Sequence, residues 1–139
     1  MKNLRSILSA LAVLLMATAV HAQQTKVSAI VPFNFVVGDA AYPAGEYKLG
    51  STASSALLRI DNTEREAGSF VLSNICGGGE PSTKTKLVFQ RMGGEYFLYQ
   101  VWIEGNVYGR QLPISRTEMR LAKNHEKSEL VIVAANITK

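Results

Sequence analysis

The stretch that most constrains this chain is Lys84–Glu104, KTKLVFQRMGGEYFLYQVWIE, in which two apolar runs flank Gly93-Gly94. A two-residue hairpin loop in a type I′ turn needs φ > 0 at both central positions, which glycine adopts without a Cβ clash. The pair therefore predicts a β-hairpin of defined register. One face would pair Arg91 with Tyr96, Phe89 with Leu98 and Leu87 with Gln100; the other would pair Gln90 with Phe97, Val88 with Tyr99 and Lys86 with Val101. Both faces carry apolar side chains, so neighbouring strands, a helix or loops are expected to cover both. The C-terminal strand and the Phe33–Phe35 strand are the expected neighbours.

The N-terminus has a separate logic. Lys2 and Arg5 precede an uncharged, mostly apolar run, Ile7–Val20, and Val20-His21-Ala22 ends in small residues at the positions a signal peptidase reads. The run is shorter than the roughly 20 residues of a spanning helix. The expectation is a signal peptide over residues 1–22, cleavage after Ala22, and one exported domain over 23–139, periplasmic or extracellular. Removing Lys2 and Arg5 lowers the formal charge from +4 to +2, and the remaining cations are dispersed. No basic stripe points to nucleic acid. Cys76 is the sole cysteine, so no internal disulfide is available in an oxidising compartment. Packing and sheet hydrogen bonds must hold the fold. Cys76 itself reads as a partly buried strand-end residue, with a reactive thiol as the alternative.

The rest of the chain reads as short strands. Thr25–Gly38 reads as strand, and Pro32, which cannot donate to a ladder, splits it or sits on an edge. Beyond it Phe33, Phe35 and Val37 alternate as one buried face. Asp39–Gly45 reads as a turn around Tyr42-Pro43, Glu46–Leu49 as a strand with Tyr47 and Leu49 on one face, and Gly50–Ser55 as a linker. Ala56–Asp61 and Ala67–Ile75 are further strands, Cys76–Thr83 a glycine-rich loop, and Tyr108–Pro113 an extended connector. Ser115-Arg116-Thr117-Glu118 has capping-box spacing, predicting a short helix over Arg116–Lys123 that stops at Asn124. Leu130–Ile137 is a nearly continuous apolar run and is expected to be a strand buried in the sheet. The whole predicts an all-β domain, a small sandwich or partly closed barrel of about seven or eight mainly antiparallel strands, with one short helix near the C-terminus.

Several segments in order carry a resemblance: Val31-Pro32-Phe33-Asn34-Phe35, Pro43-Ala44-Gly45-Glu46-Tyr47, Leu87-Val88-Phe89-Gln90-Arg91, and Gly109-Arg110-Gln111-Leu112-Pro113. Over most of the mature chain this resembles a family of small, exported, uncharacterised bacterial proteins. The resemblance implies an exported bacterial β-domain with a short C-terminal helix. It implies no activity and transfers no site residues.

The residues offer little catalytic chemistry. His125 lies in a polar link, without an H-x-x-x-H or C-x-x-C companion spacing, and no G-x-S-x-G elbow exists. Neither a metal nor a cofactor is expected. Glu46, Asp61, Glu64, Glu66, Glu95 and Glu104 fall at strand ends or turns, where surface charge is the common role; paired across a cleft, two of them could serve a hydrolase. Among the arginines, Arg91 beside Tyr96 and Arg110 stand out, since guanidinium groups stack on rings or bind anions. Arg91, Tyr96, Trp102 and Arg110 form the candidate ligand or partner patch. For the arginines the competing structural role is to bridge loop carbonyls and carboxylates. The leading expectation is a non-enzymatic binding or structural module whose partner is another exported protein or a small ligand. The alternatives are an apolar-ligand carrier, which requires an internal cavity of at least a few hundred Å3, and a carboxylate hydrolase. An outer-membrane barrel would need longer, cleanly alternating strands.

Overall fold

In a computed structural model, residues 24–52 and 56–138 are described. The signal peptide expected over residues 1–22 lies outside them. The chain forms β1 (Lys26–Val31), β2 (Phe35–Val37), β3 (Ala40–Tyr42), β4 (Gly45–Ser51), β5 (Leu57–Asn62) and β6 (Ala67–Leu72). There follow β7 (Asn74–Gly77), β8 (Lys86–Met92), β9 (Glu95–Trp102), β10 (Tyr108–Gln111), α1 (Arg116–Lys123), β11 (Ser128–Ala134) and β12 (Asn136–Thr138). One sheet has the order β12-β1-β4-β5-β6. The other has the order β11-β8-β9-β10-β7, with β2 beside β9 and β3 beside β2. They face each other as a sandwich, with no closed barrel.

The core lies between the sheets. Val27, Tyr47, Leu49 and Ile60 come from the first, and Phe35, Leu87, Phe89 and Leu98 from the second. Period-2 alternation explains most of it: Tyr47 and Leu49 are 0% and 2% exposed, while Lys48 between them is in solvent.

The edges of the sandwich are made by strands that change sheet. β6 ends one sheet and β7 the other, with Ser73 between them; β12 and β11 do the same on the opposite side, with Ala135 between them. The expected seven or eight strands become twelve in part because runs read as single strands, Ala67–Ile75 and Leu130–Ile137, bend into two; β3 and β10, from segments read as a turn and a connector, supply the rest. Cys76 and Gly77, read as loop, belong to β7 and pair with Gly109 and Tyr108. Tyr108–Gln111, read as a connector, is a strand between β9 and β7. The Asp39–Gly45 turn is displaced as well. The reversal occurs at Gly38-Asp39, with Gly38 at φ 59°, and β3 pairs back on β2.

The hairpin has the predicted turn, with Gly93 and Gly94 at φ 59° and 79°. Its register holds through Phe89↔Leu98, then shifts by one: Val88 pairs with Gln100, Leu87 with Val101 and Lys86 with Trp102. Tyr99 is the extra residue of a β-bulge. The physical reason is core demand. An unbroken ladder would place Gln100 opposite Leu87 on the inner face; the bulge brings Val101 there instead, 5% exposed. The second face is covered in part as well. Val88, Met92 and Phe97 are 6%, 6% and 1% exposed yet lie outside the main core cluster.

The predicted neighbours are both present: β11 pairs with β8 over seven residues, and Val36 of β2 pairs in parallel with Phe97. The C-terminal strand, however, is not buried. It is an edge strand, with β8 on one side and no described strand on the other, and Leu130 and Ile132, on the face away from the core, are 60% and 62% exposed. The helix starts at a complete capping box. Glu118 N–H donates to Ser115 Oγ (3.0 Å) and Ser115 N–H to Glu118 Oε2 (2.7 Å). Asn124 is its C-cap.

Candidate functional site

The four candidate residues fall into two places. Arg91 and Tyr96 pair at the hairpin tip; Trp102 lies six positions further along β9, roughly 20 Å away at strand rise.

At the tip, side chains stack from surface to core. The Arg91 guanidinium lies 5.6 Å from the Tyr96 ring centre. Tyr96 stacks on Phe33 at 3.8 Å, and Phe33 meets Phe89 edge-on at 5.0 Å. Arg91 also approaches Glu129 Oε2 at 4.0 Å, an exposed pair that contributes little. Phe33 occupies this position because Pro32 breaks the strand before it.

Tyr96 lines a surface depression of about 420 Å3 together with Tyr42, Pro43, Phe35 and Val36. Glu95 and Asn34 supply polar groups at it. A second depression, about 310 Å3, lies on the other side of Tyr42-Pro43, between β3 and β6, and includes Ala40, Asn62 and Arg65. Ala41, Tyr42 and Pro43 form the ridge shared by both.

That ridge is firmly seated. Tyr47, fully buried, donates its hydroxyl to Pro43 O (2.6 Å) and accepts from Asn62 Nδ2 (3.1 Å). Burial pushes the Tyr47 hydroxyl above its ordinary pKa, against the opposing pull of the Asn62 hydrogen bond. The Tyr42 hydroxyl is hydrogen-bonded to Ser69 Oγ, and the Tyr42 ring stacks on Phe35 at 5.4 Å. Ala44 N–H donates to Asn34 Oδ1 (2.9 Å). β3 itself pairs only with β2, so among the described strands its other side is unpaired.

The second pair is built into the scaffold. Val101 is buried and pairs with Arg110, so Arg110 shares its inner face while Trp102 takes the outer one. Arg110 Nε donates to Ser73 Oγ (3.1 Å) and Nη2 to Ser73 O (3.4 Å), fastening the point where the chain changes sheet. Trp102 lies over Gly109 and Gly77, and its Nε1–H donates to Gln100 Oε1 (2.9 Å). A Cβ at Gly109 would come within 2.8 Å of the indole, so both glycines leave the room that Trp102 fills. Burial pushes the Cys76 thiol upward, only partly offset by a hydrogen bond from the Gly109 backbone.

The carboxyl that burial pushes upward is Glu118, and it faces Ser115 in the helix cap rather than a second carboxylate. No group of three or more His, Cys, Asp and Glu among the described residues is placed to hold a metal ion. His125 follows the C-cap with φ 58° and is exposed. A partly open depression between the two sheets, reaching Val27, Leu58, Val101 and Arg110, measures about 130 Å3.

Tyr96 was legible as a site candidate because its hairpin partner Arg91 follows from the turn. Tyr42 was not, since Tyr-Pro reads as a turn signal. No local pattern announces the parallel β2–β9 contact that brings the two tyrosines to one groove. No helix among the described residues is long and apolar enough to cross a membrane. Comparison with protein-family models, curated proteins and solved structures finds no match.

Proposed function

We propose that this chain is an exported, non-enzymatic interaction module that takes an extended segment of another exported protein at the Tyr42–Tyr96 groove. The observation that carries the reading is an aromatic groove of about 420 Å3 lined by Tyr42, Pro43, Phe35 and Tyr96. Aromatic walls favour proline and other apolar side chains. The hydrogen bonds that seat Pro43 on Tyr47 and Asn62 pre-order the wall, which lowers the entropic cost of binding. Glu95 at the groove favours a cationic residue in the bound segment. Export rests on the sequence of residues 1–22.

The reading outranks the carrier because the depression that opens between the sheets, about 130 Å3, is smaller than the roughly 300 Å3 at which ordinary ligand pockets begin. It outranks the hydrolase because the carboxyl with the raised pKa serves a helix cap.

The test is selection of a displayed random octapeptide library against the wild type and against Tyr96→Ala. The reading expects the wild type to enrich a peptide family with proline or aromatic residues near a cation, and the variant to lose that enrichment. Enrichment that survives Tyr96→Ala and Tyr42→Ala overturns it.

A further inference from the structure

A different surface carries a second conclusion. β11 is the outermost strand of its sheet. Its pairing with β8 is uniform, from Ser128↔Met92 to Ala134↔Lys86. Just beyond, Ala135 N–H donates to Thr85 O (3.1 Å). In an antiparallel ladder, residues alternate between aiming their backbone groups at one neighbour and at the other. The odd-numbered residues of β11 therefore aim theirs at β8, and Ser128, Leu130, Ile132 and Ala134 aim theirs away from it.

Natural edge strands are usually short, bulged, or guarded by lysine or proline. β11 has seven residues, no bulge, no lysine and no proline; its one charge is Glu129 at its second position, and it exposes Leu130 and Ile132 at 60% and 62%. Its sequence, SELVIVA, is also self-complementary about Val131. An antiparallel pairing of two copies about a two-fold axis through Val131 sets Leu130 against Ile132 of the second copy, twice. It sets Glu129 against Val133 and Ser128 against Ala134, so no like charges oppose each other. The parity fits as well: 130↔132 and 128↔134 become the pairs that exchange backbone hydrogen bonds, while 131↔131 is a non-hydrogen-bonded pair.

We propose that β11 is a homodimer interface, two copies joining edge to edge about Val131 into one continuous sheet. A second copy is the occupant argued for because this register matches its own apolar and neutral positions without a charge conflict, as an isologous contact requires. A segment of a different protein at the same edge is the competing outcome.

The experiment has two arms on the purified protein, in a Cys76→Ser background verified to sediment like the wild type. Sedimentation velocity over a concentration series should show a reversible dimer. Ile132→Lys should raise the dissociation constant by roughly tenfold or more, since both Leu130/Ile132 pairs are lost and lysine guards an edge. In the second arm, mild oxidation should cross-link the double variant Leu130→Cys/Ile132→Cys into dimers, because those positions face each other. Leu130→Cys alone should not cross-link, because it faces Ile132. A monomer at every concentration up to roughly 1 mM overturns the proposal. So does a dimer that is insensitive to Ile132→Lys, or one in which Leu130→Cys alone cross-links as readily as the pair. Ile132 is largely exposed, so Ile132→Lys should fold; an unchanged circular dichroism spectrum would verify it.

Discussion

Gly109→Ala isolates the packing role assigned to Trp102. Gly109 does not occupy the left-handed region, so alanine meets no backbone penalty there and gains up to about 1 kcal/mol from the stiffer unfolded chain. Against that, its Cβ would lie 2.8 and 2.9 Å from Trp102 Cδ2 and Cε3 and 2.9 Å from Val101 O. The indole can shift outward. The carbonyl is ladder backbone and cannot shift without disturbing the β9–β10 pairing. Overpacking of this kind costs about 1–3 kcal/mol. The net expectation is a loss of about 1–2 kcal/mol, or roughly 3–5 °C in Tm for each kcal/mol in a domain of this size. Trp102 is the sole tryptophan, so its emission follows both the urea transition and any displacement of the ring. The expected result is a lower urea midpoint with an unchanged slope and a red-shifted native emission. An unchanged midpoint and spectrum would refute the packing assignment and return Trp102 to the list of binding residues.

Four further outcomes follow from the same geometry. Deleting Tyr99 removes the extra residue and leaves Leu98, Gln100 and Val101 opposite Phe89, Val88 and Leu87 in a regular ladder, so the variant should keep a folded circular dichroism spectrum and a cooperative urea transition; an unfolded spectrum would refute the bulge assignment. Tyr47→Phe strips Pro43 O and Asn62 Nδ2 of their partner, costing about 1–3 kcal/mol in urea unfolding and weakening any peptide that binds the groove. Glu118 is held above its ordinary pKa of 4.5, chiefly by burial, so the folded state binds its proton more tightly than the unfolded state. That contribution is fully present below the unfolded value and is lost as pH rises through the folded one; Glu118→Gln keeps the cap and should flatten that decline in a urea-midpoint series against pH. Cys76, with its thiol pushed upward by burial, should react with an aromatic disulfide reagent more slowly than free cysteine at neutral pH, and at the ordinary rate once unfolded.

Local chemistry in the sequence was enough for several elements. Gly93-Gly94 specifies a turn that few other dipeptides can make, Ser115 and Glu118 specify where the helix starts, and alternation at Phe35, Val37, Tyr47 and Leu49 specifies the core face. What the sequence hides are events decided by the opposite sheet. In the run Leu98-Tyr99-Gln100-Val101 strict alternation from Leu98 would turn polar Gln100 inward, and the need to seat both Leu98 and Val101 in one core calls for a bulge. Ser73 and Ala135 look like ordinary strand residues, yet the chain changes sheet at each. The C-terminal run looked buried because it is apolar at nearly every position. In the fold its odd residues Val131 and Val133 face the core, and its even residues stand in solvent at an edge. Half of the candidate site was legible for the same reason: Arg91–Tyr96 is a hairpin neighbour pair, whereas Tyr42 reaches Tyr96 only through tertiary pairing. Trp102 and Arg110 drew attention by residue type, and the structure gives both to the scaffold.

The central claim is that binding occurs on the Tyr42–Tyr96 groove and not between the sheets. The most direct measurement is a 1H–15N correlation spectrum of the wild type titrated with the most enriched octapeptide. The account predicts saturable shifts concentrated at Asn34–Pro43 and Gly94–Tyr96. Shifts concentrated instead at Val27, Leu49, Leu58 and Val101 would place the ligand between the sheets and contradict it.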